Sequence, residues 1–179
     1  MSVIVVLMGV AGSGKTTIGK MLADAIPCPF LEGDSLHSQA NVEKMSHGIP
    51  LTDADRAPWL SAIHARIVDV YNRGHSLVVG CSALKQSYRT VLADGLPLTW
   101  VYLKGSPELI RSRILHRASH FMKVDMLASQ FGALEEPSDA LVVDVSESPG
   151  AIVEWIMSEL RRPLGVRDAA TPARPKGDQ

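Results

Sequence analysis

Gly9-Val10-Ala11-Gly12-Ser13-Gly14-Lys15-Thr16 matches the pattern G-x-x-x-x-G-K-[ST]. Its glycines let backbone N–H groups converge on phosphate oxygens with no Cβ in the way. A helix opening at the end of the loop adds the positive end of its dipole. Lys15 then reaches the β- and γ-phosphates, and the Thr16 hydroxyl becomes a Mg²⁺ ligand. Thr17 completes the candidate nucleotide-binding set. No Asn-Lys-x-Asp element for guanine is present, so ATP is the expected nucleotide. Such a loop names the cofactor and leaves the acceptor open, because GTPases, motors and kinases all use it.

A second group of residues suggests the acceptor. Asp34 stands in Glu32-Gly33-Asp34-Ser35-Leu36-His37, directly after a short apolar run. A carboxylate there can orient a hydroxyl and take its proton during phosphoryl transfer. The same residue also suits a turn or a helix cap near Ser38. His37 reads equally as an acceptor ligand or as a hydrogen-bonding histidine of no special role. Lys85 and Arg89 are four apart and are expected on one helix face, with Arg56 joining them as a bidentate carboxylate clamp. Solvated helix charges are the alternative reading. Further along, Arg113 and Arg117 share another helix spacing ahead of His120-Phe121-Met122, and Arg111 reads as a surface charge.

These residues need a scaffold that brings distant loops together. The chain alternates strand-like apolar runs with helical stretches: strands at 3–8, 28–31, 76–80, 98–103 and 140–145, and helices at 16–25, 41–47, 53–72, 84–93, 107–117 and 149–160, with a loop and helix over 120–134. Asp53 reads as an N-cap, and Ser106 as a cap before Pro107. The order predicts an α/β fold, with a five-stranded parallel sheet flanked by helices on both faces. In such a sheet ligands sit beyond the carboxyl ends of the strands, where the loop and Asp34 both fall. Residues 1–164 are expected to form one domain with a lid at about 117–135. Residues 165–179 lack aromatics, contain Pro172 and Pro175, and are expected to be a disordered tail.

With 179 residues the chain can build a real core, and a net charge of −1 argues against nucleic acid or an anionic membrane as partner. Val3–Met8 is too short to span a membrane. The two cysteines, Cys28 and Cys81, match no metal motif and fit a reduced, cytoplasmic setting.

Several motifs together resemble the bacterial-type gluconokinases. They are the phosphate loop, Glu32–His37, Lys44-Met45, Gly48-Ile49-Pro50-Leu51, Asp55-Arg56-Ala57-Pro58-Trp59-Leu60, Cys81–Lys85, Tyr88-Arg89, His120-Phe121-Met122 and Ser129-Gln130-Phe131. They occur in that family's order from about Val3 to Leu160. The resemblance implies a fold like shikimate and nucleoside monophosphate kinases, a homodimer, and ATP-dependent phosphorylation of the 6-hydroxyl of D-gluconate, in gluconate use and the pentose phosphate pathway. It implies Asp34 as the hydroxyl-orienting base and His37, Arg56, Lys85, Arg89 and Gln130 on the substrate side. It also implies a mobile lid whose arginines meet the nucleotide: Arg113 near adenine with the 146–149 loop, and Arg117 beside Lys15 in catalysis. Lys123 stands where the family has proline, and Glu135-Glu136-Pro137-Ser138-Asp139 keeps only part of an acidic stretch. Two alternatives are a kinase for another hydroxy acid such as shikimate, and a catalytically silent ATP-binding module. Cys81-Ser82-Ala83, in place of a glycine-rich turn, speaks against shikimate.

Overall fold

The computed structural model describes residues 2–116 and 121–162, with the backbone alone for 121–126. Arg117 and the tail at 165–179 lie outside the described residues. Five strands, β1 (Ile4–Met8), β2 (Phe30–Glu32), β3 (Leu77–Gly80), β4 (Leu98–Lys104) and β5 (Leu141–Asp144), form one parallel sheet in the order β2-β3-β1-β4-β5. The helices are α1 (Lys15–Ala25), α2 (Gln39–Ser46), α3 (Asp53–Asn72), α4 (Gln86–Ala93), α5 (Pro107–Leu115), α6 (Phe121–Ala133) and α7 (Pro149–Leu160). This is the doubly flanked parallel sheet that the alternation predicts.

The central strand explains the layering. All five residues of β1 are buried, which is why it reads as an unbroken apolar run. Val5 and Leu7 pack with Ile18 and Leu22 of α1, Ile110 of α5 and Ile156 of α7. Ile4, Val6 and Met8 point the other way, onto Trp59, Ile63 and Ile67 of α3 and Leu92 of α4. So β1 leads into a helix on one face, while its neighbour β3 leads into a helix on the other. A crevice opens where neighbouring connections diverge in this way. The phosphate loop and the 81–85 segment border it, joined by the Gly9 N–H donating to the Ser82 carbonyl at 3.2 Å.

Several boundaries differ from the sequence reading, and three of the differences have a clear local reason. β2 starts at Phe30, after Pro29, which has no N–H and contributes only its carbonyl to Val78 at 3.1 Å. α4 starts at Gln86, not Leu84, because Ala83 is left-handed (φ +43°) and Lys85 is extended. The cap of α3 is Thr52, not Asp53. Thr52 accepts from the Asp55 N–H while the Asp55 carboxylate accepts from the Thr52 N–H, a reciprocal capping box. Asp53 is thereby released for another use.

Candidate active site

At the nucleotide end, the backbone does most of the work. Gly14 caps α1 with φ +101°, a left-handed value that a side chain would resist, and it turns the chain so that the helix N-terminus faces the loop. The Lys15 ammonium lies back over its own loop, donating to the carbonyls of Gly9 and Val10 at 2.9 and 3.0 Å. The Thr16 hydroxyl donates to Glu32 Oε2 at 2.5 Å. Ser13 is fully buried, and its hydroxyl has no partner among the described residues. Beside the loop lies a cavity of about 450 Å³, lined by Gly14, Thr17, Arg113, Val145 and Pro149 among others. Arg113 donates to the Val145 carbonyl on its wall. This is the neighbourhood in which the sequence reading set the adenine.

Gln130 belongs to this end as well. Its side-chain oxygen accepts from the Ala11 N–H at 2.7 Å, tying α6 to the phosphate loop across 119 residues of sequence. The motif reading grouped Gln130 with the acceptor side, whereas its observed partner is the phosphate loop.

The acceptor end is made of side chains. β2 runs into a 3-10 turn, Gly33–Leu36, that carries Asp34. Gly33 lets this turn press against β3: a Cβ there would stand 2.6 Å from the Gly80 carbonyl oxygen. The cap of α2 is Ser38, which accepts from the Asn41 N–H. Asp34 is therefore not spent as a cap. Its side chain is exposed, and its carboxylate accepts no hydrogen bond among the described residues. Nearby, Cys81 is fully buried and feels the charges of Asp34, Lys15 and Glu32. Burial pushes that thiol up to about 12, so it is an inert wall rather than a nucleophile.

His37 stacks on Trp59 with ring centroids 4.3 Å apart. The Trp59 Nε1–H donates to the Gly33 carbonyl at 2.7 Å, so one indole fixes both the Asp34 turn and the His37 ring. Burial pushes the His37 imidazole below its ordinary range, with Asp34 pulling it up and Arg56 adding to the fall. Its Nδ1 is buried without a partner among the described residues. An orphan lone pair costs less than an orphan N–H, so the proton belongs on Nε2.

Arg56 donates to the Leu51 carbonyl at 2.7 Å and to the Tyr88 hydroxyl at 3.3 Å, and it lies 5.7 Å from the Tyr88 ring centre. Lys85 holds both oxygens of Asp53, at 2.9 and 3.0 Å, and lies 5.5 Å from the same ring. The Tyr88 hydroxyl also donates to Asp53.

The expected shared face of Lys85 and Arg89 does not form. Lys85 precedes the helix. Arg89 is 3% exposed and turns back onto the carbonyls of Ala83 and Leu84 and the side chain of Gln86. Its guanidinium braces the left-handed segment at Ala83. Sequence reasoning did not single out Glu32, Asp53, Trp59 or Tyr88 as site residues. The Thr52-x-x-Asp55 spacing was the signal for Asp53, since a capping box leaves the residue after the cap unspent. The two aromatics read as core, and only the fold reveals what their polar atoms touch.

A parallel sheet with a phosphate loop after its central strand, and a carboxylate beside that loop, defines a P-loop phosphotransferase. A family model described as an AAA domain matches residues 4–137. The thermoresistant gluconokinase of Escherichia coli K12 is 43% identical, over 89% of this chain and 94% of its own. The gluconokinase of Gluconobacter oxydans is 45% identical, over 85% and 88%. The crystal structure of a gluconokinase from Sinorhizobium meliloti 1021 superposes with a TM-score of 0.80 at 44% identity, over 89% and 91%. The chain belongs to the gluconokinase family.

Proposed function

We propose that this protein transfers the γ-phosphoryl group of ATP to the 6-hydroxyl of D-gluconate, giving 6-phospho-D-gluconate and ADP. What carries the reading is the pairing of a phosphate loop with an exposed, uncommitted carboxylate, Asp34, in a chain of this family. Asp34 and Arg56 both act electrostatically on His37, which sets carboxylate, imidazole and guanidinium in one neighbourhood.

The roles follow from charge and donor count. The loop N–H groups and Lys15 hold the triphosphate. Asp34 orients the 6-hydroxyl and receives its proton as the O6–phosphorus bond forms and the bond to the β-phosphate oxygen breaks. Arg56 takes the gluconate carboxylate, because Nε and the second terminal nitrogen of its guanidinium make no hydrogen bond among the described residues. His37, neutral, donates from Nε2 to a hydroxyl. Gln130 steadies the loop through Ala11, and Arg113 lines the nucleoside cavity. Arg117 meets the transferring phosphoryl when the lid closes, a role that rests on the resemblance.

Thr16 and Glu32 offer hard oxygen atoms side by side, the donor chemistry that Mg²⁺ prefers. Mg²⁺ there would offset charge on the β- and γ-phosphates. Family kinship also supports a homodimer, a cytoplasmic setting and a product that feeds the pentose phosphate pathway. Among the described residues no helix is long and apolar enough to cross a membrane.

A coupled ADP-release assay over gluconate, shikimate, glycerate and nucleoside monophosphates tests the reading. Gluconate-dependent ADP release is expected. Tight ATP binding with no gluconate-dependent turnover would overturn it in favour of a silent nucleotide-binding module.

A further inference from the structure

We infer that Asp53 is a specificity-determining residue, which reads an acceptor hydroxyl beside Lys85 and leaves Arg56 to take the carboxylate. The inference rests on the gluconate reading above and adds a residue that the reading does not use.

Asp53 is the first residue of α3, but Thr52 and Asp55 meet that helix's capping needs. Its side chain is 65% exposed, so a ligand can reach it. Three donor contacts converge on its carboxylate: Lys85 on each oxygen, and the Tyr88 hydroxyl on Oδ1. A carboxylate has about four acceptor sites, and an ammonium has three protons. The ammonium is engaged by Asp53 and by Tyr88, whereas one acceptor site of Asp53 is left over beside that cation. An unspent carboxylate acceptor is what a substrate hydroxyl satisfies by donating its proton. Hydrogen bonds from Tyr88 and Lys85 hold the Asp53 carboxyl below its ordinary range, so it remains an acceptor at neutral pH.

Charge selects in the same direction. Arg56 and Lys85 alone would present two positive charges and favour a dianion. With Asp53 paired to Lys85 the cluster carries one net positive charge, which matches a monocarboxylate. Tyr88 enforces the division of labour: its hydroxyl accepts from Arg56 and donates to Asp53, and its ring faces both cations. The guanidinium is thus kept apart from the Lys85–Asp53 pair.

The test compares gluconate with its 2-deoxy and 3-deoxy analogues in the wild-type protein, Asp53→Asn and Asp53→Ala. Both variants keep the capping box, and a melting curve verifies the fold. For gluconate, KM should rise about 10-fold or more in the variants while the KM for ATP stays put. One of the two deoxy analogues should cost the wild type about 10-fold in kcat/KM and cost the variants about 2-fold or less, because the missing hydroxyl and the missing carboxylate are partners. Equal deoxy penalties in wild type and variants would overturn the inference, since Asp53 would then merely hold Lys85. A lower gluconate KM in the variants would overturn it too, since Asp53 would then compete with the substrate carboxylate. Absence of gluconate turnover in the wild type would strike the function reading itself, which separates the two failures.

Discussion

The two halves of the candidate site are built on opposite principles. The nucleotide end is eight consecutive residues that close on the N-terminus of α1, with the N–H groups of Gly9, Ala11 and Ser13 held by Ser82, Gln130 and Val10. The proposed acceptor end is a set of side chains from the 33–37 turn, the start of α3 and the segment after β3, spread over more than fifty positions. Backbone recognition suits phosphate, which is the same in every nucleotide. Side-chain recognition suits an acceptor, where one hydroxyl or carboxylate separates right from wrong. The first design tolerates little change in glycine geometry. The second can be retuned one residue at a time.

The largest test of this division is Asp34→Asn. It should lower kcat by about 10²- to 10⁴-fold through loss of the proton acceptor, with ATP affinity unchanged. Equal loss of ATP affinity, measured by titration calorimetry, would assign Asp34 to the nucleotide end and erase the distinction. A paired experiment sharpens it. Arg56→Ala should raise the gluconate KM about 10- to 100-fold, the value of a charge-assisted hydrogen bond, and leave the ATP KM alone. Gln130→Ala should do the reverse on a smaller scale, raising the ATP KM about 2- to 10-fold through the Ala11 N–H and sparing gluconate. If Gln130→Ala shifted the gluconate KM instead, the motif-based grouping would be the better one.

The smallest effect concerns stability at the acceptor end. Asp55 is held at about 2 by the Lys44 ammonium first and by Thr52 second. A carboxyl depressed on folding stabilises the folded state above its unfolded value, near 4, and loses that contribution as the pH falls toward about 2. Melting curves from pH 7 to pH 2 should show this loss in the wild type, and Asp55→Asn should lack that part of the acid dependence. An identical acid profile in the variant would remove Asp55 from the account.

Much of this was legible without coordinates. The strand–helix alternation, the Ser-Pro helix starts at 106–107 and 148–149, and the buried run of β1 all carry local physics that survives folding. Asp34 could be placed beside the loop because a parallel sheet puts its carboxyl-terminal loops on one side. Arg89 shows the limit. Four-residue spacing predicts a shared face with Lys85 only if both are helical, and the left-handed Ala83 delays the helix until Gln86. Gln130 shows it again, since nothing local ties an α6 side chain to a backbone N–H 119 positions earlier.

By itself, the sequence determined the phosphate loop, the sheet that carries it and the family, because each depends on contiguous residues or on ordered motifs. Only the tertiary structure decided which free polar atoms meet. The Asp53–Lys85–Tyr88–Arg56 cluster, the Trp59 bridge between Gly33 and His37, and the Gln130–Ala11 tie are hydrogen bonds and ring contacts between remote segments. Their geometry is set by how α3, α4 and α6 pack on the sheet, and no local spacing encodes it.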